Sequence, residues 1–414
     1  MHKRRRATSG CSSARRCAHG EWSTEGAGPQ VSRRGLLKAL ALSGVALPLH
    51  LAGCGSGKSS TIACDGATSC DPYAALPPNP PAGPTVVAMA GGIDVAQMTM
   101  KAIESAGGLG DIKPNDTVLI KPNIVSPDDG EHLPIVPDRQ VLSAVIDAVL
   151  ARTQVGSCIY LGDGSADIPQ ATRTEDVAAT WGILDLCAQK GVNFVSLKEY
   201  GFYSKTDANW EVLKGWQVPV STFLYENVKH VINVPVLKNH QAVTWSNCNY
   251  SCCIKNLLGV TDSAWRANGA YSYGLGAVHN EHLADNVAEL HMVLPTILMN
   301  VVDATRVIVQ GGPAGSAETL TVANPGLVLA GRDVVATDSA ALAVLRYHGK
   351  RLDVAFSAPS MDYTRGSVWE NPQIVRAVHH GLGRINLARY DLHQVSIEDN
   401  GSVENLGDIL AEWA

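Results

Sequence analysis

From Thr85 onward the chain repeats one pattern, a short apolar β-rich run followed by a stretch with helical spacing. The runs are Val86–Met89, Thr117–Ile120, Cys158–Leu161, Asn193–Leu197, Val228–Val236, Asn300–Val302 and Leu327–Ala330. Helical periodicity lies between several of them, over Asp138–Ala151, Thr174–Lys190, Leu283–Leu294 and Val334–Tyr347. Several runs are apolar at every position, as strands are when helices cover both faces of their sheet. The alternation therefore predicts an α/β fold: a doubly wound, mostly parallel sheet with helices on both faces, built as a single domain over 85–414.

Ahead of this domain the sequence reads as an address. Ser32-Arg33-Arg34-Gly35-Leu36-Leu37-Lys38 leads into an apolar run from Ala39 to Leu49, and then into Leu51-Ala52-Gly53-Cys54. That order resembles a twin-arginine export signal joined to a lipoprotein box, in which small residues precede a cysteine that takes a lipid. Residues 1–54 are expected to be the signal, with the long stretch before the arginine pair suiting an overextended gene start. Residues 55–84, rich in Gly, Ser and Pro, are expected to be a tether, because that composition cannot build a core. Cys64 and Cys70 within it are open to two readings, a small disulfide loop or two thiols. The expected location is the periplasm or cell envelope, reached through the twin-arginine export machinery, with the membrane engaged only through a lipid on Cys54. Gly53–Ser59 imitates a phosphate loop, but Ala52 stands where its first glycine belongs.

Two function classes fall away. The N-terminal run is the one long apolar stretch, which excludes a polytopic membrane protein. After Gly53 the chain has 24 Lys/Arg against 37 Asp/Glu, and so acidic a body argues against nucleic acid as a partner.

The ends of the apolar runs point to a site. Thr117–Ile120 runs into Lys121-Pro122-Asn123, Cys158–Leu161 into Gly162-Asp163-Gly164, Val231–Leu237 into Lys238-Asn239-His240, and Asn300–Val302 into Asp303. Ligands of open parallel sheets bind outside the carboxyl ends of the strands, so these residues are expected to share one polar crevice. If Val243–Leu258 is helical, Cys248, Cys252, Lys255 and Gly259 fall on one face of it. A lysine buried there has a lowered pKa and serves as a base, an anion clamp or an imine former; the bland alternative is a packed stem with its head in water. Asp338 lies on an almost wholly apolar helix and needs a buried partner, for which a crevice lysine is the natural candidate. Asp333, by contrast, reads as a helix N-cap.

Lys121-Pro-Asn123, Pro235-Val-Leu-Lys238-Asn-His240, Lys255-Asn256-Leu-Leu-Gly259, Val302-Asp303, Gly312-Pro313 and the segment from Leu329 through Asp333 to Asp338-Ser-Ala-Ala together resemble the domain-of-unknown-function 362 family, from about Thr117 to Asn386. The resemblance implies an association with ferredoxin-like iron–sulfur modules, beside or fused to members. This chain lacks a Cys-x-x-Cys-x-x-Cys run and so carries no fused module of that type. It also departs from the family after the Lys-Pro-Asn loop, offering Val136-Pro137-Asp138 where a threonine is common.

The expected catalytic residues are Lys121, Asp163, Lys238, His240 and Lys255, with Asn123, Asn256, His282, Asp303 and Asp338 as ligand-binding residues. His279, Glu281, His282 and Asp285, with His291 further on, have spacing compatible with a metal, but helix-start polar residues have the same look. Cys248, Cys252 and Cys253 suit close packing, against a sharper reading in which Cys248, Cys252 and His240 hold a metal or cluster. A metal or iron–sulfur link therefore stays open. Two functions remain: an exported enzyme acting on a small anionic molecule, or a non-catalytic envelope lipoprotein that binds a ligand or an iron–sulfur redox partner.

Overall fold

A computed structural model describes residues 85–128, 130, 132–165, 173–240, 248–263, 265–266, 282–312, 318–356, 359–383, 390–396, 409 and 412. The export signal, Cys54, the tether, Cys64, Cys70, His279 and Glu281 lie outside these residues.

Strands β1 (Thr85–Gly91), β2 (Val118–Pro122), β3 (Ile159–Asp163) and β4 (Asn193–Ser196) alternate with helices α1 (Val95–Ser105), α2 (Arg139–Thr153), α3 (Thr174–Thr180) and α4 (Ile183–Lys190). A hairpin of β5 (Phe202–Lys205) and β6 (Val218–Ser221) and a short helix α5 (Phe223–Glu226) follow. Next come β7 (His230–Val234), β8 (Val236–Asn239), β9 (Tyr250–Ser251), helices α6 (Cys253–Asn256) and α7 (Leu283–His291), and the long strand β10 (Ile297–Gln310). The remaining described strands and α-helices are β11 (Thr321–Ala323), β12 (Leu327–Gly331), α8 (Val334–Arg351), α9 (Pro372–His379) and β13 (Tyr390–Ser396).

The main sheet has the order β13-β1-β12-β10-β7-β2-β3-β4. From β10 through β4 every neighbour is parallel, while β12 runs antiparallel between β1 and β10. The expected α/β architecture is the observed one, a mostly parallel central sheet with helices, and the alternation of side chains shows why. In β1, Val87 and Met89 enter one core while Ala88 and Ala90 enter the other; in β12, Leu327 and Leu329 oppose Val328 and Ala330 in the same way. One core is closed largely by α8, the other by α1, α2 and α4. Burying both faces requires strands apolar at every position. Among the described residues no helix is long and apolar enough to cross a membrane.

Three expected elements differ in form. Thr174–Lys190 is two helices, because Gly182 takes a left-handed φ of 64° and breaks the ladder. The run Val228–Val236 divides at Pro235 into β7 and β8, since proline has no N–H for the ladder. Asp303 is not at a strand end: it lies inside β10, which is 14 residues long.

Candidate functional site

Sheet register sets a polar row on one face. Lys121 of β2 stands opposite Asn233 of β7, Asn233 opposite Asn300 of β10, and Asn300 opposite Gly331 of β12. All three side chains are fully buried, so each polar atom needs a partner. Asn233 donates to Asn300 Oδ1 at 2.9 Å and to the Cys253 carbonyl at 3.0 Å. Asn300 donates to the Gly331 carbonyl at 3.3 Å. Asn256, on α6 above the sheet, donates to Asn233 Oδ1 at 2.7 Å and to the Lys121 carbonyl at 3.2 Å. Its own Oδ1 accepts from Asn123 at 2.5 Å and from Lys121 Nζ at 3.2 Å.

At the carboxyl end of β3, Asp163 meets Lys121. Its Oδ1 lies 2.6 Å from Lys121 Nζ, and its Oδ2 accepts the Ile124 N–H at 2.7 Å. Burial pulls the Lys121 pKa down, against the charge and hydrogen bond of Asp163, which pull it up. Gly259 is what lets this pair exist: a Cβ there would stand 1.9 Å from Asp163 Oδ1 and 2.9 Å from Lys121 Nζ. Gly164 is equally tight, since a Cβ on it would reach 2.5 Å from the Gly259 carbonyl. Arg266 fastens the same turn by donating to the carbonyls of Gly164 and Ser165.

Lys238 and Lys255 are held differently. Lys238 is 1 % exposed and donates to the Val236 carbonyl at 3.2 Å. Burial first, then the charge of Lys255, push its pKa down to about 7, against weaker upward pulls from Cys252 and Asp163. Lys121 also bears on it, so the three lysines lie within reach of one another's fields. Lys255 is half-buried, and its ammonium has no hydrogen bond or ion pair among the described residues. Its pKa is lowered too, by burial first and by the Arg266 charge, with Cys248 opposing.

The remaining expected residues have other duties. Asp338 does not pair with a lysine. Its carboxylate accepts the N–H groups of Cys253 at 2.6 Å and Ile254 at 3.2 Å, the Tyr250 hydroxyl and the Gln373 amide. It thus caps the first turn of α6 and presents Lys255 and Asn256. Asp303 likewise accepts the Asp138 N–H at 2.6 Å and both donors of Thr305, anchoring the start of α2. Burial raises the pKa of both acids.

The expected single helix over Val243–Leu258 is not formed through its later part. Tyr250–Ser251 pairs with β8, α6 begins only at Cys253, and a 3-10 turn covers Leu257–Val260. Residues 241–247 lie outside the described set. Competition explains the change: the edge of β8 takes Tyr250 and Ser251, and Asp338 supplies a helix start two residues later. Cys248, Cys252 and Cys253 are buried in the core and none is in a disulfide, and burial raises the pKa of each. His240 is buried beside β9, its N–H donating to the Asn249 carbonyl at 3.0 Å. His282 is exposed at the N-cap of α7, and His291 at the other end of that helix lies 3.0 Å from the Ile254 carbonyl.

Sequence reasoning missed Asn233 and Asn300. The available signal was one amide inside each apolar run, a costly placement unless another strand supplies partners.

Three comparisons bear on the chain. A family model described as "Domain of unknown function (DUF362)" matches residues 118–343, more than half of it. No curated protein matches. A crystal structure of a Thermotoga maritima structural-genomics target is similar at 8% identity and a TM-score of 0.32, with 73% of this chain and 87% of that one covered.

Proposed function

The chain belongs to the DUF362 family, and we propose that this member is an enzyme that binds a small anionic molecule at Lys255 and Lys238. The observation that carries this reading is the half-buried Lys255 ammonium, which lacks a hydrogen bond or ion pair among the described residues and stands near a second, almost fully buried lysine. Asp163 is committed to Lys121, while Asp303 and Asp338 are committed to backbone amides. Positive charge therefore exceeds local compensation, and an anion completes the balance. With a pKa of about 7, Lys238 exchanges a proton readily at neutral pH and serves as the acid or base. Lys121, Asp163, Asn123 and Asn256 hold the frame on which the two lysines stand, and His240 next to Lys238 is a second proton carrier.

Calorimetric titration at low salt with inorganic phosphate, oxalate and lactate tests this. Saturable binding of at least one anion is expected, at least tenfold weaker in both Lys255→Ala and Lys238→Met. Equal binding by wild type and both variants rejects the reading.

The same proposal places the protein outside the cytoplasm. Arg33-Arg34 and Leu51-Ala-Gly-Cys54 support export by the twin-arginine route and a lipid on Cys54, with 55–84 as tether. Replacing both arginines by lysine is expected to stop delivery to the envelope, and Cys54→Ala to remove a palmitate label. Unchanged delivery or a persistent label counts against each claim in turn.

A further inference from the structure

We propose that Glu211, His379 and His380 form a binding site for a divalent transition-metal ion of the zinc class. These residues take no part in the lysine cluster. His379 ends α9 and His380 follows it, while Glu211 comes from the segment between β5 and β6. One ligand atom from each, two imidazole nitrogens and a carboxylate oxygen, fall within 4.8 Å of one another. Tetrahedral zinc with nitrogen and oxygen ligands at about 2.0–2.1 Å needs ligand atoms roughly 3.4 Å apart. Small side-chain rotations close the difference.

The second observation is His380 itself. Its side chain is only 3 % exposed, and its Nε2 is buried without a hydrogen-bond partner among the described residues. Asp285 Oδ1 at 3.5 Å and Glu289 Oε1 at 3.6 Å lie within ion-pair distance of it, but neither makes a hydrogen bond to it. A buried imidazole nitrogen left this way costs free energy, and a metal ion on it removes that cost.

Charge points the same way. Glu211, Asp285 and Glu289 face the histidines, with Arg376 as the one guanidinium among them in the described residues, bonded to Asp285 and to Glu211 at 3.1 Å. With neutral imidazoles the group is left two negative charges in excess, which one dication neutralises. The Glu289 carboxylate is not a ligand, because it is fully buried and accepts the N–H groups of Glu211, Val212 and Leu213. It fixes instead the backbone that presents Glu211. His379 Nε2 lies 2.7 Å from Glu211 Oε1, so an imidazole nitrogen and a carboxylate oxygen already face one another. Two imidazoles and one carboxylate are a borderline donor set suited to zinc, cobalt, nickel or copper, and three protein ligands leave one position for water.

The test uses the untagged purified protein, stripped with chelator and titrated with Zn²⁺, and in parallel with Co²⁺ for its tetrahedral visible bands. One equivalent is expected to bind, with affinity at least tenfold lower in His379→Gln, Glu211→Gln and His380→Gln and unchanged in Lys255→Ala. His379 and Glu211 are exposed, so their variants fold even where His380→Gln fails to. Absence of one-per-chain binding overturns the site, as does equal affinity in His379→Gln and Glu211→Gln. So does a cluster whose histidines are protonated at neutral pH by NMR in the presence of excess Zn²⁺, which assigns them to ion pairs with the acids.

Discussion

Lys121 and Lys255 are lysines of one cluster, yet they are built in opposite ways. Lys121 is fully buried and paired with Asp163, Asn256 and the Pro122 carbonyl. Lys255 keeps some exposure and has no such partners among the described residues. A completed buried ion pair is architecture: removing one partner strands the other's charge. An incomplete one at the rim leaves room for something that arrives later. The sharpest way to break this comparison is Asp163→Ala. It leaves Lys121 buried and uncompensated, and urea unfolding is expected to show a loss of about 3–5 kcal/mol. A loss under about 1 kcal/mol would mean that Lys121 reaches water and resembles Lys255 after all.

Lys238 stands between the two, buried like Lys121 but without a carboxylate of its own, and its signature is a pH dependence. In the folded chain its pKa is about 7, against the ordinary 10.5. Between those values the unfolded chain binds one proton more than the folded one, so stability rises with pH across that window. Below about pH 7 both states carry the proton and Lys238 adds no slope. The full relief by pH 10.5 is on the order of 4 kcal/mol, an upper figure because the neighbouring lysines titrate with it. Unfolding at several pH values is expected to show this rise in the wild type and a flatter profile in Lys238→Met. A parallel rise in both assigns the slope to other groups.

Gly259→Ala probes the paired side with one methyl group. The new Cβ has to displace the Asp163 carboxylate, and overpacking of this kind costs about 2 kcal/mol. The Lys121–Asp163 contact is expected to lengthen as well. An alanine variant as stable as the wild type would show that the turn after α6 shifts freely.

How far such contacts are legible in a sequence depends on whether their partners are local. Lys121, Asp163 and Lys238 stand out because a charge ends an apolar run, and the sheet then brings those ends together. Asn233 and Asn300 are hidden because an amide inside a run has meaning only once the register is known. Asp338 is readable as a buried acid in need of a partner, but its partner, the start of α6 some 85 residues earlier, is invisible to periodicity. Misreading Val243–Leu258 as one helix has the same origin: the edge of β8 and the Asp338 cap are both tertiary, and they override local spacing. Glu211, His379 and His380 come together from segments whose sequence separation reaches 168 residues between Glu211 and His379, so no spacing rule could have joined them.

The smallest stability effect is expected where the effect on binding is greatest. Lys255→Ala removes a half-buried charge that has no bond to lose among the described residues, and it relieves repulsion with Lys238. Its unfolding free energy should therefore stay within about 0.5 kcal/mol of the wild type, as for substitutions away from the large-effect mechanisms. The same change should raise the Lys238 pKa, because the downward push of burial is then reinforced by one fewer neighbouring cation. NMR titration of the Lys238 side chain reads that rise directly. Anion affinity should fall at least tenfold in the same variant. Stability and affinity thus separate at Lys255, whereas at Asp163 they are lost together. A Lys255→Ala protein that unfolds would place this lysine with Lys121, as part of the frame; one that binds anions as the wild type does would leave Lys238 alone to hold the ligand.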